Sequence, residues 1–274
     1  MSDPSIIPNM PPDQYRAAVG MNQSLLKTAL EDTEELRYAI TNGHEEKEEM
    51  QQGTAFHTAL IEPARFAGYY RRWEKVKGKA DAAFAEDLAA ARAGGLELYR
   101  SDWGIDEMVE AVKRHPQGSP ILETPGGLAE PSLFWTRDEV PCKARLDGVW
   151  IDAGVVVDVK TIKNVRTKTI TDDATYRGYF FQAAWCIDGL RRITGRKDWR
   201  WFNVWVKNDG NPTVRVTEVG QVGLEWGALK VDEAWRAWRR CCHSGDWTAY
   251  PDVDELIPPS WCLRELDNRM EVAS

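Results

Sequence analysis

The sequence is poor in the residues that build disulfide frameworks and cysteine-ligated metal sites. It contains five cysteines, an odd number, and no two of them are separated by two residues. Cysteine pairs at that spacing are typical of zinc sites, and sets of closely spaced cysteines hold iron–sulfur clusters. A disulfide scaffold would need a shorter chain that is denser in cysteine. The composition therefore argues against a disulfide framework, a zinc site and an iron–sulfur cluster.

Long apolar runs and an excess of basic charge are also missing. No apolar stretch approaches the roughly 20 residues that cross a bilayer, and residues 1–8 lack the basic region and apolar stretch of a secretory signal. We therefore expect a cytoplasmic protein without membrane contact. The net charge of −8 and the pI near 5.2 argue against a protein that coats nucleic acid. The net charge and the pI do not exclude an enzyme that binds DNA in a locally basic groove.

The remaining composition is that of an ordinary globular protein, with 43% hydrophobic and 28% charged residues in a chain of 274. Helical patterns come first, and strand patterns dominate later. Helices are predicted over residues 22–30, 53–62, 81–93, 102–115, 174–192 and 222–242. Strands are predicted over residues 121–124, 129–135, 143–151, 155–159, 201–206 and 212–216, and residues 167–176 as a polar connector. This order favours an α/β domain whose central mixed sheet is flanked by helices, with a helical N-terminal portion.

One predicted hairpin contains an unusual set of charges. Residues 155–159 are a β-branched run, residues 143–151 could pair with it, and a turn would be centred on Asp152 and Ala153. This pairing places Asp147 opposite Asp158, and the alternation of side chains places Lys160 on the same face as Asp158. Two close carboxylates are favourable when a cation lies between them. The set predicts a divalent metal site, or else an ordinary surface hairpin with a solvated Asp–Lys pair.

Two further polar residues interrupt apolar helical patterns. His57 lies among small and apolar residues in a helix that should end before Pro63. Gln182 lies on the inward stripe of the helix predicted after the hairpin. Each could be a functional residue or a hydrogen-bonded core residue. The acidic stretch 31–50 is interpreted as a solvated surface.

Together these motifs resemble a known enzyme family. An Asp, ten residues and then Asp-x-Lys in a strand resembles the signature of the PD-(D/E)xK nuclease superfamily. In combination and in this order, the motifs resemble the RecE-type (exodeoxyribonuclease VIII) exonucleases of phages and prophages. The matching segments are residues 53–63, 130–135, 142–148, 157–161 and 178–184, and the resemblance spans about residues 20–262. The acid before x-Lys is Asp158 rather than the more widespread Glu, as is usual in this branch.

The resemblance implies a restriction-endonuclease-like core in a single nuclease domain, residues 21–262. Residues 21–116 would be mainly helical and 117–262 would supply the sheet. Residues 1–20 would be an extended or disordered tail and residues 263–274 a second tail. The implied catalytic residues are Lys160, Asp158, Asp147, His57, Glu130 and Gln182. The implied metal is Mg²⁺, with Mn²⁺ able to substitute, held by Asp147, Asp158, the Val159 carbonyl and His57.

The implied activity is degradation of double-stranded DNA from an end, 5′ to 3′, which leaves 3′ overhangs for recombination by strand annealing in a bacterial host. Implied partners are double-stranded DNA ends, a single-strand annealing protein of the RecT type, and further copies of the chain in a ring. Candidate DNA contacts are Arg71, Arg72, Lys163, Arg166 and Lys168. The alternatives are another PD-(D/E)xK nuclease, specific for internal sites or single strands, and a catalytically inactive DNA-binding relative.

Overall fold

The computed structural model describes residues 4–42, 48–74, 81–118, 125–208 and 210–250. The predicted strand at 121–124 and the predicted tail at 263–274 lie outside these residues. No helix in the described part combines the length and apolar character needed to cross a bilayer.

Ten strands and ten α-helices are found in the described part of the chain. The strands are β1 (Ser5–Ile7), β2 (Tyr70–Trp73), β3 (Glu97–Arg100), β4 (Leu128–Ala129), β5 (Ser132–Arg137), β6 (Val140–Arg145), β7 (Gly148–Trp150), β8 (Val155–Ile162), β9 (Arg200–Lys207) and β10 (Val214–Glu218). The helices are α1 (Pro12–Ala17), α2 (Gln23–Thr28), α3 (Thr33–Asn42), α4 (Glu48–Ile61), α5 (Pro63–Tyr69), α6 (Asp81–Ala93), α7 (Ile105–Arg114), α8 (Thr167–Tyr176), α9 (Tyr179–Thr194) and α10 (Gln221–Ser244). A 3₁₀ turn, Ser101–Trp103, precedes α7.

The central sheet has five strands in the order β10-β9-β8-β7-β4. Strands β8 and β9 are parallel, and the other neighbours are antiparallel. The mixed sheet confirms the predicted fold class. Strand β8 is rich in valine because it is central and covered on both faces, where β-branched side chains pack well.

A bent hairpin links the central sheet to a second sheet of order β1-β5-β6. The pairs Ala129–Gly148 and Ser132–Arg145 belong to one antiparallel register, since each pair of numbers adds to 277. Strands β4 and β5 are therefore one arm of a long hairpin and β6 and β7 the other. The arms are interrupted where Glu130 adopts a φ of +48°. The strand predicted as continuous over 143–151 is thus broken at residues 146 and 147.

Helices cover both faces of the central sheet. On one face, Val156 belongs to an apolar core with Phe181, Trp185 and Trp235 of α9 and α10. On the other face, Val157 and Val159 pack into a core with residues of α4 and α7, among them Phe56, Met108 and Val109. Val157 and Val159 therefore point to the face opposite Val156, as the predicted alternation requires, and helices α4 and α7 cover them.

Residues 4–20, predicted as part of an extended or disordered tail, contain regular structure. Strand β1 pairs with β5, and residues 12–17 form helix α1. Lys143 is 5% exposed and its Nζ donates to the carbonyls of Tyr15, Arg16 and Ala18 at 2.9, 3.2 and 2.5 Å. We call residues 4–20 the N-terminal arm. The arm is held against β6 because the buried Lys143 ammonium needs hydrogen-bond acceptors, and the carbonyls at the C-terminal end of α1 supply them.

The predicted polar connector at 167–176 is wrong, because these residues form α8. Its Thr- and Asp-rich sequence has low intrinsic helix propensity. Ile170 and Ala174, four residues apart, bury one face of the helix against Trp205. Tertiary packing therefore outweighs the local preference, as propensity scales allow.

Candidate active site

Three carboxylates follow one another across the bend of the hairpin. The Glu130 amide donates to the Asp147 carbonyl at 3.0 Å, so these residues are backbone neighbours. Gly148 pairs with Val157, so Asp147 and Asp158 are the next residues along the two chains, and the Asp147 carboxylate accepts a hydrogen bond from the amide of Val159, which follows Asp158. These contacts agree with the predicted juxtaposition of Asp147 and Asp158. Glu130, in the left-handed conformation and followed by Pro131, ends the ladder here and brings a third carboxylate to the same place.

The Asp147 carboxylate is held by groups from two other elements. Its Oδ2 accepts a hydrogen bond of 2.6 Å from the Val159 amide of β8. Its Oδ1 lies 3.4 Å from His57 Nδ1 on α4. His57 therefore reaches the site from the helix predicted to carry it, and α4 ends at Ile61, before Pro63, as expected.

Lys160 and Asp158 form a close pair on one face of β8. The Lys160 Nζ donates to Asp158 Oδ1 at 3.0 Å and lies 2.8 Å from Oδ2. The second approach is an ion pair only, and Oδ2 accepts no hydrogen bond from the described residues. Gln182 Nε2 donates to Oδ1 at 2.9 Å. This contact supports the hypothesis that Gln182 belongs to the site and is not an isolated core amide.

The arrangement offers a place for a cation. Ligand atoms of His57, Glu130 and Asp147 all lie within 4.8 Å of one another. Asp158 is not part of this group, and its Oδ2, which accepts no hydrogen bond from the described residues, already lies 2.8 Å from the Lys160 ammonium. Hard divalent ions prefer oxygen ligands such as the carboxylates of Glu130 and Asp147, whereas the imidazole is a ligand that transition metals accept more readily. The residues therefore fit a divalent metal, whereas the metal roles of Asp158 and of the Val159 carbonyl stay predictions.

The charges of the site depend on burial and on mutual contact. Burial raises the pKa of Asp158 to about 6, although Lys160 opposes the shift. Burial also raises the pKa of Glu130, with the neighbouring Asp147 adding to the effect. For Lys160, burial favours the neutral form, but Asp158 and Asp147 outweigh it and raise the pKa. Lys160 is therefore a permanent cation beside acids that are costly to ionise together.

His57 and Asp147 support each other's charged forms. Burial lowers the pKa of His57, but the adjacent Asp147 carboxylate reverses this effect and the net pKa is raised. Burial raises the pKa of Asp147, but His57, Lys160 and the Val159 amide outweigh it, so its pKa is lowered. Asp147 is thus the carboxylate of the three that is most readily ionised.

A protein family described as a PDDEXK-like domain of unknown function (DUF3799) matches residues 21–254. The chain belongs to this family. The mixed sheet flanked by helices is consistent with a PDDEXK-like nuclease fold, and family and fold together support a nuclease of the PD-(D/E)xK superfamily. Membership does not extend to RecE-type specificity, which stays a prediction.

A solved structure of a Eubacterium rectale protein, named as a candidate exonuclease, has a similar fold. The TM-score is 0.57 at 16% identity, over 89% of this chain and 96% of that one. A phage-related exonuclease from Haemophilus somnus 129PT matches with a TM-score of 0.33 at 11% identity, over 61% of this chain and 84% of that one, which is too weak to support an argument. No curated protein matches the chain.

The candidate DNA contacts of this PDDEXK-like domain fall into two groups. Arg71 donates to backbone carbonyls of residues 67, 68 and 70, and Arg72 is paired with Glu74 at 2.9 Å and Asp106 at 3.6 Å. Both are engaged locally, which weakens their candidacy. Lys163 and Arg166 are exposed directly after β8. Lys168 is also exposed and pairs with Asp172 at 2.6 Å.

The sequence prediction missed two residues of the site. Tyr179, at the start of α9, places its ring 4.8 Å from the Lys160 Nζ, a cation–π distance. Arg145, at the end of β6, donates to Glu130 Oε2 at 2.7 Å. Tyr179 was recognisable only as part of an apolar stripe. Arg145, two residues before Asp147, could have been suspected from strand alternation, but no local pattern indicates its acid partner.

Proposed function

We propose that this chain is a divalent-metal-dependent deoxyribonuclease that hydrolyses double-stranded DNA from an end. The supporting observation is the row Glu130–Asp147–Asp158 with Lys160 paired to Asp158. The Eubacterium rectale neighbour, named as a candidate exonuclease, supports the choice of an exonuclease.

Phosphodiester hydrolysis needs a nucleophilic water, charge neutralisation around phosphorus and help for the departing oxygen. A bound divalent cation, which we propose to be Mg²⁺ with Mn²⁺ as a substitute, supplies charge neutralisation and a more acidic water. Glu130 and Asp147 would hold this cation together with His57, whose imidazole must lose the proton that Asp147 favours before it binds a metal. Asp147 is preorganised for that role, because the Val159 amide and His57 fix both of its oxygens.

Lys160 has the position and charge to act on the reacting groups. Its ammonium is fixed by Asp158 on one side and lies over the Tyr179 ring on another. A lysine held in this way donates hydrogen bonds without reorganisation, either to a phosphate oxygen or to the attacking water. Gln182 keeps Asp158 in the orientation that Lys160 requires.

The direction of digestion and the partners follow from the resemblance of the motifs to RecE-type exonucleases. We propose digestion of the 5′ strand, which leaves 3′ overhangs for a single-strand annealing partner, by a ring of several copies. Lys163 and Arg166 are the cations we propose to contact the phosphates that flank the scissile bond, because they follow β8 directly and are exposed.

The proposal is tested by digestion of duplex DNA labelled at either 5′ end or closed into a circle. Wild-type protein should degrade linear duplex in Mg²⁺, leave closed circles intact and be inactive in EDTA. Asp158→Asn should lower the rate at least about 100-fold, the scale of losing a preorganised charge at the reacting centre. Asp152→Asn is the matched control, because Asp152 is an exposed acid in the turn of the same hairpin.

Three outcomes would contradict the proposal in different ways. Digestion by Asp158→Asn at the wild-type rate would refute the assignment of the active site. Cleavage of closed circles would favour an endonuclease. Binding of duplex ends without cleavage in Mg²⁺ or Mn²⁺ would favour an inactive DNA-binding relative.

A further inference from the structure

Arg145 connects the acidic site to the N-terminal arm. Its Nε donates to Glu130 Oε2 at 2.7 Å, and its Nη1 donates to the Met10 carbonyl at 2.9 Å. The guanidinium carbon lies 5.9 Å from the centre of the Tyr15 ring. The side chains of Arg145 and Glu130 are only 15% and 16% exposed. One arginine therefore contacts a candidate metal ligand and two residues that lie before the family match begins at residue 21.

The geometry of β6 explains why Arg145 can reach both. Lys143 and Arg145 are two residues apart and lie on the same face, whereas Cys142 and Ala144 point into the core. Lys143 anchors the C-terminal end of α1, and Arg145 lies next to it at the end of the strand, beside the bend. Arg145 is therefore placed between the arm and the carboxylates.

Glu130 needs an external group to orient its side chain. Its backbone is fixed by φ +48° and by the hydrogen bond to Asp147. These contacts do not define the rotation of the carboxylate. In the described part of the chain, Arg145 donates a hydrogen bond to this carboxylate. Glu130 also contributes one carboxylate oxygen to the group that could hold a cation.

We propose that Arg145 is a positioning residue, which holds Glu130 in its metal-ligating orientation and makes that orientation depend on the N-terminal arm. This inference rests on the proposed metal site, and it adds the N-terminal arm as a segment outside the site that supports it. Groups that orient metal ligands typically change metal affinity by about 10- to 100-fold when they are removed. The arm is then part of the support of the active site, although it lies outside the family match.

The test is calorimetric titration of Mn²⁺ into the full-length protein without DNA, with thermal unfolding as a check on folding. Arg145→Gln should weaken Mn²⁺ binding about tenfold or more. Arg145→Lys keeps the charge but replaces the separate donors Nε and Nη1 with one ammonium, and it should restore affinity only in part. Arg137→Gln is the matched control, because Arg137 lies on the same hairpin, 13% exposed, and pairs with Asp232 away from the site. It should bind Mn²⁺ as wild type does.

A double-mutant cycle distinguishes positioning from general structural damage. If Arg145 acts through Glu130, Arg145→Gln should have no further effect on Mn²⁺ affinity in a Glu130→Gln background. Tyr15→Leu tests the arm and should weaken binding roughly two- to fivefold, the scale of a cation–π contact. A Tyr15→Leu protein with wild-type affinity would overturn the role of the arm.

The outcomes separate this inference from the proposed function. Wild-type affinity in Arg145→Gln, or a further loss in the Glu130→Gln background, would overturn the positioning role and leave the nuclease proposal intact. Absence of Mn²⁺ binding by the wild-type protein would overturn the metal site and this inference with it. Wild-type protein that binds Mn²⁺ but digests no DNA would refute the nuclease proposal alone.

Discussion

At the scale of single residues, the site consists of buried charges that depend on one another. Asp158 is 2% exposed and has two described donors, Lys160 and Gln182. A buried carboxylate without its cation is costly, whereas the intact pair contributes little net stability. Lys160 is therefore expected to matter for folding because of Asp158, and for catalysis through its own ammonium.

Substitution of Lys160 separates these two effects. Lys160→Met should reduce the free energy of unfolding by about 3 kcal/mol, because it leaves Asp158 buried without its cation. The double variant Lys160→Met with Asp158→Asn removes both charges and should recover most of that loss. Activity should be absent in both. Urea unfolding and the digestion assay measure the two quantities, and a double variant that is no more stable than Lys160→Met would contradict this account.

At the scale of elements, helices α9 and α10 place Gln182 by packing closely against each other. Gly227 on α10 is buried, and a Cβ added there would overlap the carbonyl oxygen of Phe180 on α9. The glycine therefore permits a close approach between the two helix backbones.

The turn between β5 and β6 consists of two residues, Asp138 and Glu139. Their φ angles are +48° and +66°, as expected of a type I′ hairpin turn.

Gly227→Ala should destabilise the protein by about 1–3 kcal/mol, because the helices must separate to admit the methyl group. Gly68→Ala is the control. Gly68 lies within helix α5, is exposed and has open space around its Cβ position. Urea unfolding of the two variants should show a clear loss for the first and little change for the second. Equal stability of the two would mean that the helices can adjust without cost.

At the scale of the whole molecule, charge is the main constraint on DNA binding. With a net charge of −8, attraction to DNA must come from a local cluster of cations. Lys163 and Arg166 are exposed and follow β8 in the chain, whereas Arg71 and Arg72 are engaged by neighbouring groups. The first pair is therefore expected to carry the phosphate contacts.

The salt dependence of DNA binding tests that expectation. In EDTA, where no cleavage occurs, the double variant Lys163→Ala with Arg166→Ala should reduce the slope of log affinity against log salt by about two, roughly one for each lost phosphate contact. Lys230→Ala is the control, because Lys230 pairs with Glu233 at 2.7 Å on α10. An unchanged slope in the double variant would show that DNA follows another path.

The sequence by itself determined the fold class and the juxtaposition of Asp147, Asp158 and Lys160. The period of two along β8 and the polar turn at residues 152 and 153 are local properties, and together they set the register of that hairpin. His57 and Gln182 were visible as polar residues within apolar helical patterns, and the resemblance to a known family gave them a role in the site. Membership in the PDDEXK-like family agrees with this interpretation.

Only the tertiary structure decided the bend at Glu130, helix α8, the fold of the N-terminal arm and the roles of Tyr179 and Arg145. Each of these features depends on a contact with a residue from another element. Glu130 contacts Asp147, Ile170 of α8 packs with Trp205, and the arm is held by Lys143 of β6. Tyr179 lies against Lys160, and Arg145 binds Glu130. Local patterns report a residue's own backbone preference, whereas contacts of this kind arise from packing between elements. The resemblance implied Glu130 as a site residue, but its place beside Asp147 and its contact with Arg145 became visible only in the folded chain.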